Sequence, residues 1–327
     1  MPGTEHPAAG QPGPEHSGLD PSAVWVLVCT YQRPELLVEL LRSLRKVKLP
    51  LNTAGGTELQ VPRLVVVDNA PAPQVHTTVE AEYPEAVYLH EPRPGLVHAR
   101  NTSLDAVPET AEAVIFLDDD ERVTTDWFTA LLQAHATSGA DIITGPVQPR
   151  FADGEPPWLS TYGYVRSTDH PEGPYPRRPA TNNTLVTAHW FTQEKMRFHP
   201  AFNLTGGEDS ELFDRLMAAG AQVWWSQAAR VSEYVPPERA TVDWLRRRAR
   251  RGGTVRVLKH SLRRRPLTAR LRSTAEGAVR IGYGTARILG RRLRGQAVTY
   301  TDEYYFYEGL GMLQAVTGRG NEEYARA

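Results

Sequence analysis

The sequence predicts an α/β fold on a mostly parallel sheet, followed by a helical C-terminal extension. Short apolar runs alternate with amphipathic stretches from Ala23 onward, the longest run ends abruptly in acids, and the composition changes after Pro236-Pro237. Alternation of this kind calls for strand–helix units, which place helices on both faces of a parallel sheet.

Val24 to Cys29 reads as the first buried strand. Pro34 then opens a helix to about Lys46, because proline suits a first turn and Leu36, Leu37, Leu40, Leu41 and Leu44 form one stripe. Leu64 to Val67 is a second strand ending at Asp68-Asn69, and Val87 to Leu89 a third, followed by Gly95 and a helix to about Ala106. Val114 to Leu117 is the fourth, with a helix near Thr125 to Ala136 and a strand at Asp141 to Thr144 behind it. Pro149 to Ala180, dense in Pro, Gly and Tyr and holding Trp158, breaks the pattern and reads as a lid or binding loop. Strand character returns at Asn183 to Ala188; Glu208 to Ala219 is a helix closed by Gly220, and Val223 to Trp225 a strand. Arginine-rich helices run to about Arg294, and a Tyr-rich segment, Tyr300 to Tyr307, leads into a last helix around Leu310 to Val316.

Residues 1–22 offer almost nothing to bury and read as a disordered leader, 23–237 as the sheet-bearing domain, and 238–327 as a basic, mainly helical region. With 40% hydrophobic and 23% charged residues the chain is globular, and its net charge of -1 hides a basic tail behind an acidic body. Cys29 is the only cysteine, which excludes an internal disulfide and suits a reducing cytoplasm. No apolar stretch spans a bilayer and the N-terminus lacks the pattern of a signal peptide. The expected location is cytoplasmic, with peripheral contact on the inner membrane face left open.

The run Ala113-Val114-Ile115-Phe116-Leu117-Asp118-Asp119-Asp120-Glu121 carries the clearest chemistry. Adjacent aspartates at a strand's carboxyl end repel one another unless a divalent cation or arginines offset them. Ligands of open α/β sheets bind at that same end. Thr30-Tyr31-Gln32-Arg33 stands at the mouth of the first strand before a helix N-terminus, which favours an anion although no P-loop signature is present. Asp68 offers a carboxylate for a base or a ribose, or serves as a turn residue. Arg93 and Arg100 approach the same rim; of the two, Arg93 is the better phosphate candidate and Arg100 reads more as a helix-surface residue. In Gly206-Gly207-Glu208-Asp209-Ser210-Glu211-Leu212 two glycines allow close backbone approach, and the acids complement the helix dipole or remove a proton from an incoming hydroxyl.

Taken in order, Thr30-Tyr31-Gln32-Arg33, Val67-Asp68-Asn69, Gly95 with Ala99-Arg100-Asn101, Phe116 to Asp120 and Gly207 to Leu212 resemble family 2 glycosyltransferases, from Val24 to about Val235. The resemblance implies a GT-A fold, a nucleotide-diphosphate sugar donor (UDP by family frequency), Mg²⁺ or Mn²⁺, and inversion at the transferred sugar. It implies that Thr30, Tyr31, Arg33, Asp68, Arg93, Asp118 and Asp119 bind the nucleotide. Asp120 and Asp118 would bind the metal, and Asp209 would be the catalytic base with Glu208 as second choice. Arg93 stands where many relatives have Asn, and Glu233 where many have a histidine ligand; Glu233 is accordingly a candidate third metal ligand. The tail, from Glu233-Tyr234 through Trp244 to Arg251-Gly252-Gly253, is similar to the succinoglycan-type bacterial glucosyltransferases. Arg247, Arg248 and Arg251 are candidates to fold over the diphosphate, and Trp158 to meet the acceptor. That acceptor would be a hydroxyl of a polysaccharide precursor, a glycolipid or a small molecule. The competing reading makes the arginine tail a non-catalytic module for membrane or nucleic acid. The acidic clusters would repel such partners, so no nucleic acid is expected, while contact with an anionic membrane stays compatible with catalysis.

Overall fold

A computed structural model describes residues 18–50, 60–163 and 170–318. Of the expected leader, residues 1–17 lie outside the described residues; Asp20 caps a 3-10 turn at Pro21–Ala23 that leads into the sheet. The chain runs through β1 (Val24–Thr30), α1 (Pro34–Leu44), β2 (Arg63–Asp68), α2 (His76–Glu82), β3 (Val87–His90) and α3 (Leu96–Asp105). Then come β4 (Ala113–Asp118), β5 (Glu121–Val123), α4 (Trp127–Ser138), β6 (Ile142–Thr144) and β7 (Val147–Phe151). They are followed by α5 (Pro157–Tyr162), β8 (Gly173–Pro174), β9 (Thr184–Thr187), α6 (His189–Thr192) and α7 (Glu208–Ala218). β10 (Val223–Trp225) and β11 (Val231–Val235) precede three C-terminal helices, α8 (Val242–Arg263), α9 (Pro266–Leu293) and α10 (Tyr300–Val316).

The main sheet has the order β3-β2-β1-β4-β9-β6-β10-β8. β1 pairs in parallel with β2 and β4, β2 with β3, and β6 with β10, whereas β9 is antiparallel to both β4 and β6. Side chains alternate between two cores, as a doubly covered sheet requires. Val24, Val26, Val28, Leu64, Val66, Ile115 and Leu117 join one; Leu27, Val65, Val67, Val114 and Phe116 join the other. α1 closes the first with Leu37, Leu40, Leu41 and Leu44, the stripe visible in its sequence.

The acidic run leaves the main sheet. β5, β11 and β7 form a small second sheet in which Glu233 pairs in register with Glu121, and Tyr234 N–H donates to the Asp120 carbonyl at 2.8 Å. That hairpin-free pairing of distant strands was not legible in the sequence, and neither was α2. The segment expected to be irregular contains most of β7, α5 and β8, with 164–169 outside the described residues. The Tyr-rich segment is no separate lead-in but the first half of α10, whose start is a capping box between Thr299 and Asp302.

α10 packs on α8 and α9 at close backbone distance. A Cβ on Gly311 would lie 1.9 Å from the Arg250 carbonyl oxygen, and one on Gly253 2.1 Å from that of Glu308. Acids of α10, two of them buried, take up arginines that the sequence alone leaves looking solvated. Glu308 pairs with Arg256 (3.1 Å) and Arg280, Asp302 with Arg287 (2.7 Å) and Arg291 (3.2 Å), and Glu303 with Arg246 (2.7 Å). The bundle is fastened to α7 through Lys259 and Asp214 at 2.9 Å.

Candidate functional site

A cleft of about 890 Å³ opens at the carboxyl ends of β1 and β4 and is closed on its far side by α7 and the start of α8. Its walls include Thr30, Tyr31, Arg33, Asp118, Asp119, Asp120, Glu208, Asp209 and Glu233. The two acidic clusters, some ninety residues apart in the chain, therefore face one space.

Arg100 joins them. It is buried on α3, its guanidinium pairs with Glu208 through one nitrogen, and the other donates to Asp118 at 3.3 Å. The sequence-based preference between the two arginines is thus reversed. Arg93 is exposed and bends back onto Glu91 (2.6 Å), holding that carboxyl down at about 2, and it does not line the cleft. A signal for Arg100 was present: Val97, Arg100 and Leu104 share the helical spacing of one buried stripe, so the arginine sits among the apolar positions of α3.

Around Asp119 the contacts are internal. Thr30 Oγ1 donates to it at 2.9 Å and Arg33 at 3.1 Å, fixing the loop after β1 against the end of β4. Arg33 also reaches Asp120 at 3.3 Å, and Arg239, from the turn after Pro236, stands 3.7 Å from the same carboxylate. Even so, burial and the neighbouring charges of Asp118, Asp119 and Glu233 push the Asp120 carboxyl up to about 7. Asp118 is raised as well, by burial first, with Glu233 and Asp119 adding to it. Glu121, wholly buried, lies well above its usual value and accepts from the Asp118 N–H at 2.9 Å.

In chemistry alone the carboxylates of Asp118, Asp120 and Glu233 would suit a hard divalent cation, whose charge would relieve their mutual repulsion. Among the described residues no group of three His, Cys, Asp or Glu side chains is arranged so that it could hold a metal ion.

At the opposite wall, Gly207 holds φ +85° as the N-cap of α7, and a Cβ there would meet Val255 of α8 at 2.4 Å. Glu208 is buried; burial, with the adjacent Asp209 charge, lifts it to about 7 in spite of Arg100, and one of its oxygens has no partner. Asp209 is half-buried and is oriented by the Ser210 N–H at 2.5 Å.

Asp68 stands apart from the expectation. It is fully buried and accepts from the N–H groups of Ala70 (3.0 Å), Gln74 (2.7 Å) and Val75 (3.2 Å) and from Tyr88 (3.1 Å). Three of these bonds fall on Oδ2 and one on Oδ1; the carboxylate builds the turn after β2, and its neighbour Asn69, not Asp68, lines the cleft. Trp158, packed edge-on against Tyr162, and the exposed Arg247 do not line the cleft either. Arg248 and Arg251 do, joined by Trp244, over whose ring Arg248 lies at 5.2 Å, and by Tyr175, Arg178 and Trp225. Of these, Arg178, Tyr175 and Trp225 went unnoticed because nothing in their spacing links them to the strand ends.

Residues 25–198 match the family described as "Glycosyl transferase family 2". The chain is 34% identical over 230 residues to the succinoglycan biosynthesis protein ExoM of Rhizobium meliloti (strain 1021), covering 69% of this chain and 71% of ExoM. In fold it is similar to S. aureus TarS 1-349 in complex with UDP-GlcNAc, with a TM-score of 0.53, 13% identity and coverage of 90% and 92%. GalNAc-T7 with UDP, GalNAc and Mn²⁺ superimposes at a TM-score of 0.50 with 15% identity, over 72% of this chain and 47% of that one. The chain spans 39% of the longer S. aureus TarS structure. The reading of the tail as a non-catalytic module gives way here: the chain belongs to glycosyl transferase family 2 and is a glycosyltransferase of the GT-A fold.

Proposed function

We propose that the enzyme moves a sugar from a nucleotide-diphosphate donor, UDP-linked, to a hydroxyl of a polysaccharide precursor by a single, inverting displacement. The observation that carries this reading is the Arg100 bridge, which sets Asp118 beside Glu208 and Asp209 in one cleft. The UDP assignment draws on TarS and GalNAc-T7, whose structures contain UDP or UDP-GlcNAc, and the class of acceptor on ExoM, a succinoglycan biosynthesis protein.

In this reading Asp209 accepts the proton of the acceptor hydroxyl. It is the open carboxylate of the pair, whereas Glu208 is buried and engaged by Arg100. The acceptor oxygen forms its bond to the anomeric carbon from the face opposite the diphosphate, whose oxygen leaves with the bonding electrons, so the configuration inverts. Asp120, Asp118 and Glu233 would hold Mg²⁺ or Mn²⁺, which when bound neutralises charge on the leaving diphosphate. Arg33 and Arg239 border Asp120, and Arg248 and Arg251 line the same cleft, where they would meet the phosphate oxygens.

Thermal shift with UDP, GDP and TDP, each with and without Mn²⁺, followed by hydrolysis of the matching sugars and NMR of the product anomer, tests this. UDP with Mn²⁺ should give the largest stabilisation and the product should carry the inverted configuration. Stabilisation by none of the diphosphates, or a product of retained configuration, would overturn the proposal.

A further inference from the structure

α9 turns a long apolar face away from the rest of the molecule. Its buried positions, Ala269, Ser273, Gly277 and Gly284, lie on one side, and a Cβ on Gly284 would meet the Phe306 backbone of α10 at 2.5 Å. On the other side Leu267, Leu271, Val279, Leu289 and Leu293 are exposed by 69, 63, 71, 52 and 88%. Between these leucines Ala275, Ala278, Gly282 and Ala286, also exposed, continue the spacing of three and four. Residues so spaced share one helical face, so the stripe runs the length of the helix. Its 28 residues extend for about 42 Å.

The charges beside this stripe are of one sign. Arg264, Arg265, Arg270, Arg272, Arg292 and Arg294 are exposed, whereas the only acid of α9, Glu276, is turned to Arg256 and His260 of α8. A second copy laid on this face would bring arginines against arginines with no carboxylate to meet them. Anionic lipid headgroups supply the missing charge and the acyl boundary the apolar phase. Among the described residues no helix is long and apolar enough to cross a membrane, so such a helix lies along the surface.

We propose that α9 seats the enzyme on an anionic bilayer, leucines toward the acyl chains and flanking arginines on the headgroup phosphates. The seat does not depend on the donor or the base proposed above. These exposed arginines differ from Arg246 and Arg256 of α8 and from Arg280 and Arg287 on the inner side of α9, all of which are engaged by acids of α10.

The test is co-sedimentation of the full chain with vesicles of phosphatidylglycerol mixed into phosphatidylcholine, and with phosphatidylcholine alone. The wild type should pellet with the first and stay in solution with the second. Leu271→Glu combined with Leu289→Glu should lower the partition about tenfold or more, with thermal melting and donor hydrolysis in solution unchanged. Should that variant fold poorly, Arg270→Gln with Arg272→Gln gives a second reading: weaker binding that rising salt no longer diminishes as steeply. Equal pelleting of wild type and both variants would overturn the proposal. So would a wild-type dimer by light scattering that the leucine variant converts to monomer while neither binds vesicles, since a second copy would then be what covers the face.

Discussion

Arg100 is buried between Glu208 and Asp118 and favours the charged form of each against the burial that opposes it. Removing one member of a buried ion pair typically costs about 3–5 kcal/mol, because the partner is left charged and uncompensated. Arg100→Met should therefore lower the unfolding free energy by that order and abolish transfer; denaturant titration reads the first and a sugar-transfer assay the second. Asp209→Asn is expected to behave differently, losing transfer by about a thousandfold or more while UDP binds as before in calorimetry. Near-normal turnover in that variant would move the base elsewhere. Glu208 makes a prediction about pH. Its carboxyl is raised from 4.5 to about 7, so in this range the folded protein holds a proton that the unfolded chain has released. Its contribution to stability is full below the unfolded value, falls as pH rises toward about 7 and is flat beyond. Melting temperatures of the wild type should show this decline relative to Glu208→Gln.

Among the elements, the strands of the main sheet other than β8 and the helices α1, α3, α4 and α7 are legible in the sequence because their apolar periods are strong and the helix ends are marked by Pro34, Gly95, Gly139 and Gly207. The small sheet of β5, β11 and β7 is not, since strands of three and five residues become stable only by pairing with partners far away in the chain, Val231 with Val123 and with Val147. The same distinction holds for the site. Asp118 and Asp120 stand out as adjacent acids at the end of an apolar strand, while Asp209 is drawn out only by the two glycines before it, since acids in a first turn are common. Asp68 stands out equally, yet its oxygens are taken by backbone N–H groups that only the folded turn reveals. Arg239 and Trp244 reach the cleft because Pro236 and the turn after it bring α8 back across the acidic run. The contact of α10 with α8 gives an element-scale test. Gly311→Val would force side-chain atoms into the backbone of Arg250, and overpacking of this kind costs about 1–3 kcal/mol or more. A lowered melting temperature accompanied by weaker UDP binding is expected, because α8 carries Trp244, Arg248 and Arg251.

The whole molecule is a glycosyltransferase sheet closed by its own C-terminal helices. A chain ended after Pro237 should thus lose donor affinity by about tenfold or more in calorimetry, rather than yield a minimal active enzyme. It would lack four side chains of the cleft, Arg239, Trp244, Arg248 and Arg251, and leave Asp214 without Lys259. Retained affinity would mean that the arginines of α8 do not touch the donor. One contact seen at this boundary has a wider reach. Gly207, the residue that starts the helix bearing Asp209, has its Cα hydrogens against Val255, one turn beyond the arginines that border the cleft and in the same bundle as the leucine face of α9. With no side chain between them to act as a cushion, a tilt of the bundle would be handed directly to Asp209, the proposed proton acceptor, so that the proposed seat on a bilayer would make the protein's posture a lever on its chemistry.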